Sequence, residues 1–326
     1  MTVAFCEQTA NSCQGPASRN NTALILTTKG LMPDSGGIGN QQYIDRQGIL
    51  ARTVEDAALV LDAIKDPETG YFDTRDIYTA LPKSLISEKL YASFVINDKI
   101  LKKDSMPLKG MNIGIIREHM VTPTPNHVAM SNQIDNEIKS ILRDELGATL
   151  FESRDPRLPD DTDVEDLEYT FKDAFSEIFP RYFPEMFSRT SSSGDLLFAV
   201  PGHDVTSYDY LLKLSNRQAP LSDAIRVDNL ADLLGFPDEL SFKFDIDRYL
   251  LQRVDERVKD WASWVANAKF RQDSSRAGAE NWVNTVTTIA EGKGAILGWS
   301  DLARLAVMKV MHENDIDVFV YPENTV

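Results

Sequence analysis

The sequence predicts an α/β fold, with a mixed β-sheet core flanked by helices and a largely helical insertion. Three observations lead to this prediction. A short apolar strand, an amphipathic helix and a second strand follow one another between residues 111 and 151, which is the repeating unit of an α/β sheet. Mostly helical, proline-bounded segments replace that alternation from residue 152 to 300. A last apolar strand then runs from residue 318 to 321.

The first fifty residues are polar. Residues 1 to 52 are rich in Ser, Thr, Asn, Gln and Gly, with one apolar stretch at residues 23 to 26. This composition predicts a loop, a short buried strand and a second loop, an arrangement that often holds functional sites. Residues 34 to 39 are rich in glycine, but no GxGxxG or Walker pattern follows them. They therefore indicate a turn and not a phosphate-binding loop.

A helix is predicted from about residue 53 to 65. The Thr53 hydroxyl can cap its N-terminus, and the acidic residue three places later resembles a capping box. The apolar residues that then fall on one face are Val54, Ala57, Leu61 and Ile64.

The strand–helix–strand unit begins after Leu108-Lys109-Gly110. An apolar strand is predicted from residue 111 to 116, and a helix that follows it ends at Leu146-Gly147, because glycine commonly terminates helices. Residues 148 to 151 are predicted to be extended again. The stripe of the helix consists of Val128, Ile134, Ile138, Ile141 and Leu142.

The later part of the chain carries one long apolar stripe and a terminal helix near residues 300 to 314. Trp261, Trp264 and Trp282 could line a pocket, but an aromatic side chain at helical spacing more often belongs to a core, so none is assigned to a site. The stripe consists of Ile246, Tyr249, Leu250, Val254, Val258, Trp261, Val265 and Ala268.

Composition restricts the partners. The chain has 50 Asp and Glu against 34 Lys and Arg, a formal charge of -16, which repels phosphate backbones and anionic headgroups. We therefore expect neither nucleic acid nor membrane as a partner, while a homodimer is left open. The first residues lack the features of a secretory signal, and Cys6 and Cys13 are the two cysteines of the chain. These features predict a cytoplasmic, reducing setting.

Four segments, in this order, resemble the amidase-signature family. Residues 8 to 18, QTANSCQGPAS, look like its signature loop, which usually reads Asp-Thr-Gly-Gly-Ser-Ile-Arg-x-Pro-Ala. Residues 51 to 58, ARTVEDAA, are close to its Ala-Arg-Thr-Val-x-Asp-Ala-Ala helix start. Residues 108 to 118 are similar to its Leu-Lys-Gly-x-x-Ile-Gly strand, and residues 317 to 322 to its Asp-Val-x-x-x-Pro strand.

The resemblance implies a fold and an activity. It implies an α/β core over residues 1 to 151 that is truncated at its N-terminus and a return to the core sheet over 301 to 326. It does not cover the helical region that the pattern predicts over 152 to 300, which in this family varies with the substrate. The implied activity is hydrolysis of a small-molecule carboxamide through an acyl-enzyme. Both ends of the chain resemble interior points of the family sequence, so we expect segments to be missing there.

The resemblance also implies site residues. Ser12 aligns with the family's nucleophile, and the backbone N–H groups of Thr9, Ala10 and Asn11 would form the oxyanion hole. Ala10 and Asn11 replace two glycines of the family pattern.

Two further departures surround this loop. Gln8 stands where the family has Asp, and Gln14 where it has Arg. These changes indicate either a subfamily in which the two side chains make different supporting contacts to the loop, or a weakened site.

The base that would activate Ser12 is not apparent. The family uses a lysine that acts through a second serine, both upstream of the nucleophile, and eleven residues precede Ser12. The chain alone is therefore expected to lack this relay. No GxSxG or SxxK motif accompanies any serine, so we interpret His119, His127, His203 and His312 as solvated or structural.

Metal and cofactor sites are not predicted. No HExxH and no CxxC pair occurs in the sequence. Cys13, beside Ser12, could be reactive, but a buried, inert cysteine is the expectation.

Three functions remain open at this point. The first is an amidase that acts on a non-peptide carbon–nitrogen bond. The second is a catalytically incompetent amidase fragment or amidase-like binding module, and the third is an amidotransferase subunit.

Overall fold

A computed structural model confirms the α/β class and describes most of the chain. The described residues are 3–9, 11–38, 44–65, 72–120, 125–153, 163–182, 200, 202–204, 207, 209–210, 213, 219–220, 242–270, 272, 276–278 and 289–322.

The described part of the chain contains both strands and helices. In order they are β1 (Val3–Gln8), α1 (Gln14–Arg19), β2 (Ala23–Leu26), β3 (Arg46–Ala51), α2 (Val54–Ile64), α3 (Asp98–Leu101), β4 (Asn112–Ile115), α4 (Pro125–Ile138), β5 (Thr149–Glu152), β6 (Glu165–Asp166), α5 (Phe171–Tyr182), α6 (Phe242–Arg253), α7 (Trp261–Asn267), α8 (Ile289–Glu313) and β7 (Val318–Val320). A π-helical segment, Lys139–Glu145, continues α4, and single 3-10 turns cover Ile77–Thr79, Lys83–Leu85, Tyr91–Phe94 and Arg117–Met120.

The chain divides into two compact units, each built from two separate parts of the sequence. Unit 1 combines residues 1–95 with 237–297, and unit 2 combines residues 96–236 with 298–326. The division into regions 1–151, 152–300 and 301–326 that the family resemblance implies stays a prediction.

Unit 1 contains a three-stranded antiparallel sheet in the order β1-β3-β2. The predicted strand β2 is confirmed, whereas β1 and β3 lie in stretches that the composition assigned to loops. The core of this unit forms where β3 packs against α2, and it includes Ile49, Ala57 and Leu61, each at most 3% exposed.

Helix α2 confirms the local prediction. The Thr53 hydroxyl accepts a hydrogen bond from the Asp56 backbone N–H at 3.1 Å, as the capping pattern indicated. Ala57 and Leu61 are buried, but Val54 is 51% exposed because it occupies the first helical position, before the helix reaches the sheet.

The long apolar stripe of the later region belongs to two helices. Val254, the residue that would have linked them, is 85% exposed and has φ of 56°, so the stripe breaks between α6 and α7. The four buried members of the stripe nevertheless form one cluster: Ile246, Leu250, Trp261 and Val265. Trp261 is thus a core residue, and Trp282 lies outside the described residues.

Unit 2 is organised around a parallel sheet in the order β6-β5-β4-β7. The predicted strand–helix–strand unit is confirmed as β4, α4 with its π-helical continuation, and β5. Gly147 ends that helix with φ of 87°. The predicted final strand, β7, pairs with β4. Gly114 of β4 lies against the Phe319 ring of β7, and a Cβ added to Gly114 would come within 2.4 Å of that ring.

Buried charges of opposite sign are paired in unit 2. The Arg117 side chain is 8% exposed and forms ion pairs with Asp135 and Glu152. The Glu152 carboxylate itself is 6% exposed. This interaction joins the end of β5 to α4 and to the turn that follows β4.

Within the described residues, no helix has both the length and the apolar content that crossing a bilayer requires.

Candidate active site

The predicted nucleophile lies in the short loop between β1 and α1. The side chains of Ser12 and Asn11 are exposed, Thr9 is partly buried, and Ala10 lies outside the described residues. No described side chain hydrogen bonds to the Ser12 hydroxyl. The loop continues into α1 with a hydrogen bond from the Gly15 N–H to the Asn11 carbonyl at 3.0 Å. The Ser12 side chain is therefore accessible to solvent in the loop that joins β1 to α1.

Gln8 closes this loop at its base. Its side chain is 2% exposed, and its Oε1 accepts hydrogen bonds from the backbone N–H groups of Cys13 and Gln14 at 3.1 and 3.0 Å. Its Nε2 donates to Gln14 Oε1 at 2.8 Å. The two residues predicted to support the loop are thus in contact with each other. A neutral amide pair occupies the positions where the family pattern has opposite charges.

A disulfide also closes the loop. Cys6 in β1 is bonded to Cys13, and their Cα atoms are 5.7 Å apart. Cys13 is fully buried, so the sequence-based expectation of burial is correct, but the expectation of an inert free cysteine is wrong because the two sulfurs are joined. No motif in the sequence indicated this pair.

A cluster of carboxylates supports the loop from the other side. The Thr9 hydroxyl donates a hydrogen bond to Asp45 Oδ1 at 2.6 Å and lies 3.3 Å from Glu7 Oε1. Asp45 is fully buried. The Lys29 ammonium group donates to the Asp45 backbone carbonyl and lies 3.7 Å from Asp34 Oδ2. Three acidic residues therefore meet close to the predicted oxyanion loop.

Crowding of like charges changes the acidity of Glu7. Burial, followed by the negative charges of Asp45 and Asp34, raises the pKa of Glu7 to about 7. Ionisable groups with strongly perturbed pKa values are enriched at functional sites. Sequence reasoning missed this cluster because Glu7 and Asp45 are distant in the chain, and only the pairing of β1 with β3 brings them together.

A small cavity of about 30 Å³ in unit 1 shares Asp34 with this cluster. It lies between the turn at residues 34–37 and α6, where Arg248 and Tyr249 line it. A cavity of this volume holds roughly two water molecules. It is therefore too small for an amide substrate, and we do not assign one to it.

The acidic cluster does not form a metal site. Among the residues that the structure describes, no group of three or more His, Cys, Asp or Glu side chains is arranged to hold a metal ion. The side chains of His119 and His127 are not described, and His203 and His312 belong to unit 2. The expectation that the protein uses neither metal nor cofactor stays a prediction.

Comparisons with known proteins indicate what this chain is similar to. A family model described as Amidase matches residues 1–167, which is about half of the 326 residues. One subunit of the glutamyl-tRNA(Gln) amidotransferase of Cupriavidus pinatubonensis is 28% identical over 151 residues. A protein of Arabidopsis thaliana named as a probable amidase is 30% identical over 142 residues.

Each match covers a part of the relative. The aligned region spans 46% of this chain and 28% of the Cupriavidus protein, and 44% of this chain and 23% of the Arabidopsis protein. A crystal structure of an amidase family protein from Bacillus anthracis superimposes on 98% of this chain and on 46% of that protein, with a TM-score of 0.54 and 18% sequence identity. At that identity the superposition supports the fold alone.

Proposed function

Because this chain belongs to the amidase family, we propose that it serves to hydrolyse a non-peptide carboxamide carbon–nitrogen bond through an acyl-enzyme on Ser12. In this proposal the hydroxyl of Ser12 attacks the carbonyl carbon. The backbone N–H groups of Thr9, Ala10 and Asn11 stabilise the oxyanion that develops, and Gln8 and Gln14 hold the loop in place. The substrate is a small-molecule amide, and the protein acts in the cytoplasm without a metal or cofactor.

The exposure of Ser12 at the tip of a closed loop is the observation that carries this proposal. A nucleophile must reach its substrate, and Ser12 is exposed while the residues on either side of the loop are fixed. Cys13 is fully buried and Gln8 is 2% exposed. Such an arrangement fixes the backbone that would carry the oxyanion donors and leaves the hydroxyl accessible.

The proton acceptor is the part of the mechanism that the described contacts do not supply. Deprotonation of serine requires a base within hydrogen-bond reach of its hydroxyl. By its resemblance to the amidase-signature family, we assign this role to a lysine acting through a second serine from a segment upstream of Ser12. The acyl-enzyme is then hydrolysed by water that the same relay activates.

Labelling by a fluorophosphonate probe, which reacts with activated serines, tests the assignment of Ser12. With the chain joined to an upstream segment that supplies the lysine and the second serine, we expect the unmodified protein to be labelled, Ser12→Ala to lose the label, and Ser18→Ala to keep it. Ser18 is a matched control because it is an exposed serine in the same region, and its hydroxyl donates to the Gly15 carbonyl. Labelling that survives in Ser12→Ala would exclude Ser12 as the nucleophile.

A catalytically incompetent amidase fragment or amidase-like binding module is a second candidate. It is favoured by the absence of a described hydrogen-bond partner for the Ser12 hydroxyl. Turnover of simple aliphatic and aromatic amides by the 326-residue chain separates the two. Release of ammonia that disappears in Ser12→Ala contradicts the binding module, whereas binding of an amide without turnover, even with the upstream segment joined to the chain, supports it.

An amidotransferase subunit is a third candidate, favoured by the similarity to the Cupriavidus protein of that kind. Such a subunit would pass ammonia to a partner protein. Size-exclusion chromatography of the protein from its native source checks this, since a stable complex with a second polypeptide is expected for an amidotransferase. A chain that elutes alone or as a homodimer favours the free hydrolase.

A further inference from the structure

The disulfide encloses the whole loop that carries the candidate site. Cys6 and Cys13 are seven residues apart in sequence, so their bond forms a ring of eight residues. That ring contains Thr9, Ala10, Asn11 and Ser12, which are the proposed oxyanion donors and nucleophile. The inference that follows rests on the proposed function of Ser12, but the bond and its effect on the loop can be tested without it.

The neighbouring strand leaves room for the disulfide. Cys6 pairs with Gly48 in the register of β1 and β3. A Cβ at position 48 would lie 3.1 Å from Cys6 Sγ and 3.0 Å from Leu24 Cδ1. Only glycine at this position therefore allows the sulfur to pack without a shift of its neighbours.

The two cysteines differ in their exposure. Cys13 is fully buried, whereas Cys6 is partly exposed. We therefore expect a thiolate from solvent to approach the bond from the Cys6 side. This asymmetry determines which sulfur forms the mixed disulfide and which one leaves.

We propose that Cys6–Cys13 is a reversible modification site, at which a dithiol reductant opens the ring and thereby controls the reactivity of Ser12. A thiolate of the reductant forms a mixed disulfide with Cys6, and Cys13 leaves as a thiolate and takes up a proton. The second thiol of the reductant then attacks the mixed disulfide and releases Cys6. Two electrons pass from the reductant, which becomes a disulfide, to the protein, which gains two thiols.

The proposed cytoplasmic setting agrees with a reversible bond. Disulfides in that compartment are usually transient and catalytic or redox-sensing, because glutathione and thioredoxin keep most thiols reduced. The oxidised protein holds the loop through the ring and through Gln8 together. The reduced protein keeps the hydrogen bonds of Gln8 to Cys13 and Gln14 but loses the covalent closure. We therefore expect Ser12 to be more reactive in the oxidised state.

Hydrogen exchange measures the effect on the loop directly. The wild-type chain is compared after incubation with oxidised glutathione and with dithiothreitol, and a maleimide mass shift counts the free thiols in each sample. We expect no free thiol in the oxidised sample and two in the reduced sample. Exchange of the backbone N–H groups of residues 9–14 should become at least about tenfold faster on reduction.

Two variants serve as controls. Cys6→Ala/Cys13→Ala should exchange at the fast rate with or without dithiothreitol. Gly48→Ala should form the disulfide more slowly, since the new methyl group crowds Cys6 Sγ. If either variant fails to fold, the comparison of the two wild-type samples still decides the outcome.

The possible outcomes are distinct. Two free thiols after oxidation, or exchange of residues 9–14 that does not change on reduction, overturns the proposal. Slower fluorophosphonate labelling of Ser12 in the reduced sample supports it. If exchange responds to reduction but Ser12 is labelled in neither state, even with the upstream segment joined to the chain, the redox site stands and the proposed function fails.

Discussion

Two charged clusters, one in each unit, differ in how far their charges compensate each other. In unit 2, Arg117 lies between Asp135 and Glu152, so negative and positive groups compensate each other at the edge of the parallel sheet. In unit 1, three carboxylates, those of Glu7, Asp45 and Asp34, meet behind the loop that carries Ser12, with the Lys29 ammonium group beside Asp34 as the cation described there. Crowding of like charges costs free energy, and groups with strongly perturbed pKa values are enriched at functional sites. The Arg117 pairs stabilise unit 2, whereas the carboxylate cluster of unit 1 agrees with the function proposed for the Ser12 loop.

The largest effect is expected where the compensated charges are broken. Arg117→Met should destabilise the protein by about 3–5 kcal/mol, because it leaves buried carboxylates without their positive partner. Urea denaturation followed by circular dichroism measures this. Arg304→Met is the matched control, since Arg304 and Asp301 form an exposed pair in the same unit and should contribute less than about 1 kcal/mol. An equal loss of unfolding free energy in the two variants would show that the buried Arg117 pairs stabilise unit 2 no more than an exposed pair does.

The base of the Ser12 loop should give the next largest effect. Gln8→Leu keeps the side-chain size but leaves the N–H groups of Cys13 and Gln14 without their acceptor, which costs about 1–3 kcal/mol. The same denaturation experiment measures it, with Gln133→Leu on an exposed face of α4 as the control. An unchanged midpoint in Gln8→Leu would show that this amide does not support the loop.

Crowding of the carboxylates predicts a pH dependence that is specific to unit 1. The folded state raises the pKa of Glu7 from its ordinary value of 4.5 to about 7, so it binds more protons than the unfolded state between these values. The contribution of Glu7 to stability is therefore fully present below about pH 4.5 and is lost as the pH rises through 7. Thermal unfolding across this range should show a smaller decline in Glu7→Gln than in the wild type.

The exposed Glu88 provides the comparison for that experiment. Glu88→Gln removes one carboxylate from unit 1 without touching the cluster, so its stability should follow the wild-type pH profile. If Glu7→Gln follows that profile as well, the pKa of Glu7 is not raised in the folded protein.

The smallest effect on stability is expected at the proposed nucleophile itself. Ser12 is exposed and has no described hydrogen-bond partner, so Ser12→Ala should change the free energy of unfolding by less than about 0.5 kcal/mol. The fluorophosphonate label should be lost in the same variant. A large loss of stability would indicate that the hydroxyl is a structural group, and loss of labelling could then not be attributed to chemistry.

Sequence reasoning succeeded where the signal is local. The cap at Thr53 and the apolar spacing of Ala57 and Leu61 predicted α2, and the alternation around residues 111–151 predicted the parallel strands of unit 2. It failed for β1, because the strand lies in a polar stretch, ends in Glu7 and Gln8, and exposes 59% of Phe5. Sequence reasoning also treated α6 and α7 as one apolar stripe. The apolar spacing continues through Val254, but the helix ends there because the backbone of Val254 has a positive φ.

The candidate site shows the same limit. Ser12 was found through the resemblance of its loop to a family pattern, which is information about neighbouring residues in the chain. For Gln8 and Gln14 the sequence predicted supporting contacts near the loop, but not the hydrogen bond between the two side chains. The meeting of Glu7 with Asp45 and the bond between Cys6 and Cys13 depend on strand pairing and side-chain direction, which composition and periodicity do not contain.

The neutral pair of Gln8 and Gln14 has a consequence for how the protein tolerates its ionic environment. An ion pair weakens as counterions accumulate around it, whereas a hydrogen bond between two uncharged amides is not screened. The base of the loop should therefore keep its geometry from dilute buffer to molar salt.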